Sequence, residues 1–145
     1  MPDEEEKLDE KEAVTRLNAA LTLQYRSALQ HSIVASSLIG IEAQALGSKL
    51  TEFGDSELAD VRRLIEKIVS FGGEPTTDVA ELRFEKSAKG AIRWLAECEE
   101  AAVEALQEAI EPTGREGRSE ALEHLMEHLI LRKQQQVDFL NRAAS

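Results

Sequence analysis

Ser56-Glu57-Leu58-Ala59-Asp60-Val61-Arg62-Arg63-Leu64-Ile65-Glu66-Lys67-Ile68-Val69-Ser70-Phe71-Gly72-Gly73-Glu74-Pro75 is the stretch on which the fold turns. Val61, Leu64, Ile68 and Phe71 recur at helical spacing and define one buried face. Followed back one turn, the same face carries Glu57 and Asp60, and carboxylates on a core stripe need a metal or a countercharge. Gly72-Gly73-Glu74-Pro75 closes the helix, because glycine takes the left-handed C-terminal position and proline cannot continue the ladder.

Upstream, residues 1–8 form an acidic run, expected to be a solvated tail. The first helix is expected from about Asp9 to about Ile39, with Leu17, Leu21, Ala28, Ala35 and Leu38 on its apolar face and Gln24 and His31 set among them. Gly40 is its natural stop. The second helix is expected from about Glu42 to Phe71. Gly47 and Gly54 lie inside it, marking a close helix approach or a break between 47 and 56 with Asp55 or Ser56 capping a new start. Residues 72–85 have no period and read as a connection. The third helix is expected from about Lys86 to Glu111 on Ile92, Leu95, Val103, Leu106 and Ile110, with Glu99 midway. After the loop 111–118, Ser119 is the expected N-cap of a fourth helix reaching about Arg142 on Leu122, Met126, Leu129, Val137 and Leu140, interrupted by Lys133 and Gln136.

Four amphipathic helices of similar length make an all-α four-helix bundle filling residues 9–145. The connection sets the topology. A helix of about 26 residues is about 39 Å long, and roughly 14 extended residues reach about 46 Å, so 72–85 can cross the whole bundle and start the third helix at the far end.

Composition narrows the function classes. Seventeen Lys and Arg against 28 Asp and Glu give a net charge of −11, which argues against nucleic acid or an anionic membrane as partner. The single cysteine, Cys98, cannot form an internal disulfide, and the start Met-Pro-Asp-Glu-Glu-Glu lacks signal-peptide character, so a cytoplasmic protein is expected.

The polar residues on the four inward stripes are Gln24 and His31, Glu57 and Asp60, Glu99, and Lys133 and Gln136. Each helix contributes, and the second and fourth each supply an i, i+3 pair. That is the layout of a dinuclear carboxylate centre. The side-chain types differ from one: three carboxylates, two amides and a cation, with Lys133 able to balance Glu57, Asp60 and Glu99 without metal. A reduced one-metal site on Glu57, Asp60 and Glu99, with oxygen from Gln24 or Gln136, is the alternative. His31 is expected to be a hydrogen-bonded core histidine. His124 and His128, beside Glu120, Glu123 and Glu127, have metal-ligand spacing but are expected on a solvated face. Cys98 is expected to be a buried, inert thiol.

Leu17-Asn18-x-x-Leu21, Glu57 with Ile65-Glu66-x-Ile68 and Gly73-x-Pro75, Leu106-x-Glu108-Ala109-Ile110 and Val137-Asp138-Phe139-Leu140 occur in an order that resembles the bacterioferritin branch of the ferritin-like proteins. The resemblance implies a ferritin-like bundle with one long crossover and iron as the metal of such a centre. It places the family's first glutamate ligand on Gln24, its first Glu-x-x-His on Glu57-x-x-Asp60, its bridging glutamate on Glu99 and its second Glu-x-x-His on Lys133-x-x-Gln136. A one-residue slip would give Arg132-x-x-Gln135. Leu58 stands where bacterioferritins have their haem-ligating methionine, so no haem is expected. The family also implies a homodimer through the first two helices. The sequence stops soon after the fourth helix, without the family's short fifth one, so a larger cage is not expected.

Three functions are consistent with these residues: a bacterioferritin-like iron-binding or iron-storage protein with weakened or lost ferroxidase activity, a non-enzymatic structural or regulatory dimer, and an oxidase using one metal or a metal other than iron.

Overall fold

The computed structural model describes residues 8–110 and 117–145. Four helices follow in order: α1 (Glu10–Ser37), α2 (Gly40–Ser70), α3 (Ala88–Ile110) and α4 (Gly117–Ala144). Among the described residues no helix is long and apolar enough to cross a membrane.

The helix ends follow local chemistry. Asp9 caps α1, its carboxylate accepting from the Glu12 N–H at 3.1 Å. Gly40 has the left-handed φ of +69° expected of a break, but it serves as the first residue of α2 and leaves only a tight turn after Ser37. α2 runs unbroken through Gly47 and Gly54, so the alternative of a fresh start at Asp55 or Ser56 is not taken. Gly54 marks a close approach: a Cβ there would lie 3.4 Å from the His31 Cβ. At the other end Gly72 has φ +77°, its N–H bonds the Val69 carbonyl and the Gly73 N–H reaches back to Ile68 at 3.0 Å. These two bonds make the paired C-terminal closure of a Schellman motif.

Two sequence expectations need correction. Ser119 is not an N-cap: it lies inside α4, fully buried, with no partner for its hydroxyl among the described residues, and the residues directly preceding Gly117 lie outside those described. Leu8 is not part of a solvated tail but is buried against the core, because it is a large apolar side chain set directly before α1; residues 1–7 lie outside those described.

The crossover travels the length of α1. Asn18 clamps its start, donating to the Glu74 carbonyl at 3.0 Å and accepting from the Thr76 N–H at 2.8 Å. Ala80 N–H bonds the Thr22 carbonyl, and the buried Gln30 amide ties both sides of the Arg83 backbone, at 3.0 and 2.6 Å. Arg83 then stacks on Trp94 of α3, 4.1 Å from the ring centre. Residue numbers rise together along crossover and helix, so the segment runs parallel to α1 and α3 begins beside the α1 C-terminus. The turn at its origin is tight. A Cβ on Gly73 would stand 2.5 Å from Val14 Cγ1 and 3.1 Å from Ile68 Cγ2. Gly73→Ala is expected to cost about 1–3 kcal/mol through this overpacking, read from urea denaturation.

The core is not continuous. One apolar cluster joins the first half of α1, the second halves of α2 and α3 and the first half of α4, through Leu17, Leu21, Leu64, Ile68, Leu106, Met126 and Leu129. A second joins the opposite ends through Val34, Leu50, Phe53, Ile92, Leu95 and Leu140. This division gives α1 and α4 one direction and α2 and α3 the other. Between the two clusters lies a buried polar layer.

Candidate functional site

The layer is built from the residues singled out by spacing. Gln24, Glu57, Asp60, Glu99, Lys133 and Gln136 are all at most 3% exposed. Glu57 is the hub. Its Oε2 accepts from Lys133 Nζ at 2.5 Å and Gln24 Nε2 at 2.6 Å, and its Oε1 accepts from Gln136 Nε2 at 2.7 Å and Arg132 Nη2 at 3.2 Å. Gln24 Nε2 also donates to the Glu57 backbone carbonyl at 2.8 Å, locking α1 to α2. Glu99 is reached by Lys133 at 3.4 Å and by Gln136 at 3.2 Å. Asp60 accepts from Arg63 at 2.7 Å and closely from Arg132 Nη2, whose other nitrogen, Nη1, donates to Gln136 Oε1.

Electrostatics divide the carboxyl groups. Burial pushes Glu57 up, but Lys133 and Arg132 outweigh it and hold the carboxyl well below the usual range. Glu99 is pushed up to about 8 by burial and by the charge of Glu57, which its weaker contact with Lys133 does not cancel. Burial opposes charge on Lys133, yet Glu57 and Glu99 raise its pKa and keep it an ammonium. Near neutral pH the layer therefore sets buried Lys133 and half-buried Arg132 against Glu57 and Asp60, with Glu99 protonated and Arg63 at the rim. Such closure is what makes burying these groups tolerable.

Spacing missed Arg132. It precedes Lys133 and lies off the apolar stripe, but its long side chain turns inward and stays only 21% exposed. A basic residue flanking the stripe opposite two carboxylates was the available signal. The slipped register fails at its other member, since Gln135 is exposed. Arg63, one turn after Asp60, was also missed.

His31 is fully buried; its Nδ1–H donates to the Ser27 carbonyl at 2.8 Å and its ring packs edge-on against Phe53. Burial lowers its pKa, so it is neutral, and its Nε2 has no partner among the described residues. His124, 80% exposed, and His128 lie on the solvent face of α4. Cys98 is buried and its thiol is pushed up to about 12, chiefly by burial, which leaves it unreactive. Leu58 points outward at 46% exposure. Among the described residues no three His, Cys, Asp or Glu side chains are grouped so as to hold a metal ion.

No curated protein sequence matches the chain. Solved structures share its fold. A ferritin-like diiron-carboxylate protein from Bacillus anthracis str. Ames superposes with a TM-score of 0.87 at 22% identity, over 94% of this chain and 98% of that one. The dodecameric thioferritin of Bacteroides fragilis, a bacterioferritin-related protein, gives 0.82 at 17%, over 94% and 86%. Rhodobacter capsulatus bacterioferritin gives 0.80 at 19%, over 92% and 84%. Residues 14–144 match the Ferritin family as a ferritin-like domain, and with that span covering nearly the whole bundle the chain belongs to this family.

Proposed function

We propose that this chain is a ferritin-like protein whose dinuclear centre has been replaced by a permanent ion-pair and amide layer, so that no ferroxidase chemistry takes place there. The observation that carries this reading is Lys133 Nζ, fully buried, 2.5 Å from Glu57 and 3.4 Å from Glu99. An ammonium in that position occupies the space and supplies the charge that a metal would bring. A pair of irons needs hard anionic and imidazole donors with free lone pairs. Here the carboxylate oxygens already accept from lysine, arginine and amide groups, and the one nearby imidazole, His31, lies off the carboxylate cluster. Iron does not fit this donor set. A single metal on Glu57, Asp60 and Glu99 meets the same obstacle, because it would first have to displace the cations.

The bundle then serves as a non-enzymatic, cytoplasmic structural or regulatory protein, acting as a homodimer. The outward face of α1 and α2 supports that assembly: Leu29 and Leu58 are 44% and 46% exposed beside a slot of about 210 Å³ between the two helices. A second reading, iron storage without oxidation at this centre, is favoured by the net charge of −11, which attracts cations to the surface.

Anaerobic Fe²⁺ titration followed by metal analysis and an oxygen electrode tests the proposal. The expected result is no stoichiometric iron between the helices and no O₂ uptake above the uncatalysed background. A pair of irons bound per chain with O₂ turnover would overturn it. Light scattering on the same sample is expected to give twice the chain mass of 16.1 kDa.

A further inference from the structure

The polar layer has an outer wall. Between α2 and α4 lies a groove of about 320 Å³, lined by Arg132 and Gln136 of the layer and by Lys49, Ser56, Gln135 and Arg142. Three cations meet in this one concavity of a chain whose net charge is −11, against a single lining carboxylate, Glu52. Glu52 engages only Lys49, at 3.6 Å. Among the described residues Arg142, which is exposed, makes no ion pair, the Ser56 hydroxyl and the Gln135 amide have no hydrogen-bond partner, and the Nε–H of Arg132 is unpartnered as well.

From this juxtaposition we propose that the α2–α4 groove binds a small oxyanion of the phosphate class, with Lys49 and Arg142 as the paired charges and Ser56 and Gln135 as neutral donors. Like charges brought together in a concavity repel one another unless an anion joins them, and low-dielectric walls concentrate their field on whatever enters. Free N–H and O–H groups beside Arg142, and beside a Lys49 held only by its exposed pair with Glu52 and the face of Phe53, are the donor set that tetrahedral oxyanions take. Arg132 at the floor contributes charge, but its Nη groups remain committed to Glu57, Asp60 and Gln136. The site thus lies on the solvent side of the layer and does not depend on whether iron binds behind it.

The test is a titration of the full chain with inorganic phosphate against sodium chloride at matched ionic strength, followed by amide NMR. The expected result is saturable shifts confined to Ser56, the Gln135 side chain and the last turn of α4. The double variant Lys49→Gln/Arg142→Gln is expected to weaken binding at least about tenfold with an unchanged melting curve, since neither residue enters the polar layer. Glu52→Gln, which releases Lys49, is expected to tighten binding, a response that a purely structural lysine would not give. Shifts equal to those in chloride, or a double variant binding within about twofold of the parent, would overturn the proposal.

Discussion

Lys133→Met is expected to lower the stability of the folded chain by about 3–5 kcal/mol near neutral pH, because removing one partner of a buried ion pair leaves the other uncompensated. Lys133 is fully buried and makes the closest contact to Glu57, so methionine keeps most of the volume and deletes only the charge. The deficit is expected to shrink in mild acid, where a Glu57 without its lysine can take up a proton. The double variant Glu57→Gln/Lys133→Met supplies the control: neutral groups of similar shape replace the pair, and stability is expected to return to within about 1–2 kcal/mol of the parent. Urea denaturation at pH 5 and pH 8 reads both effects. A single variant as stable as the parent at pH 8 would show that Lys133 is not the compensating charge.

The second large effect is a fall in stability between pH 6.5 and pH 8.5 that Glu99→Gln abolishes. A carboxyl raised from 4.5 to about 8 on folding binds its proton more tightly in the native state. Its contribution is fully present below the ordinary value and is lost as pH rises through about 8, at a slope of up to about 1.4 kcal/mol per pH unit. Other shifted groups do not contribute in this window. Glu57 is depressed, so its contribution is lost only on acidification below the ordinary glutamate range. His31 is lowered from 6.5, so its contribution is complete above that value and falls away on acidification. Cys98 is raised from 9.0 to about 12 and begins to cost stability only above the window. Glutamine at 99 keeps the shape and stays neutral, so the profile is expected to flatten and the variant to exceed the parent at pH 8.5. A parent profile already flat across this range would place Glu99 as a permanent anion held by Lys133.

Much of this was legible in the chain because helical periodicity is a local property. The residues at 24, 57, 60, 99, 133 and 136 were picked out by their position on apolar stripes, and all six are buried together. Gly40 and Gly72 were read as stops on their freedom at positive φ; both have it, and Gly72 closes α2, whereas Gly40 opens that helix instead of ending α1. Failures came where a residue's fate depended on its surroundings. Ser119 has capping chemistry, yet the helix begins before it. Leu8 sits in an acidic run, yet a neighbouring apolar cluster takes it in. Arg132 occupies a flank position that normally faces water, and its side chain reverses that.

By itself, then, the sequence determined four helices, their polar interruptions and a crossover long enough to reverse the order of the ends, since spacing, caps and chain reach act over a few residues or a simple length. Only the tertiary structure decided which cation serves which carboxylate. Lys133 and Glu57 are 76 positions apart, and whether their charges meet at 2.5 Å, whether Arg132 joins them and whether Glu99 keeps its proton depend on distances across helices and on lost solvent. Those quantities exist only once the bundle has closed, because a charge is compensated or stranded by what packs against it in space.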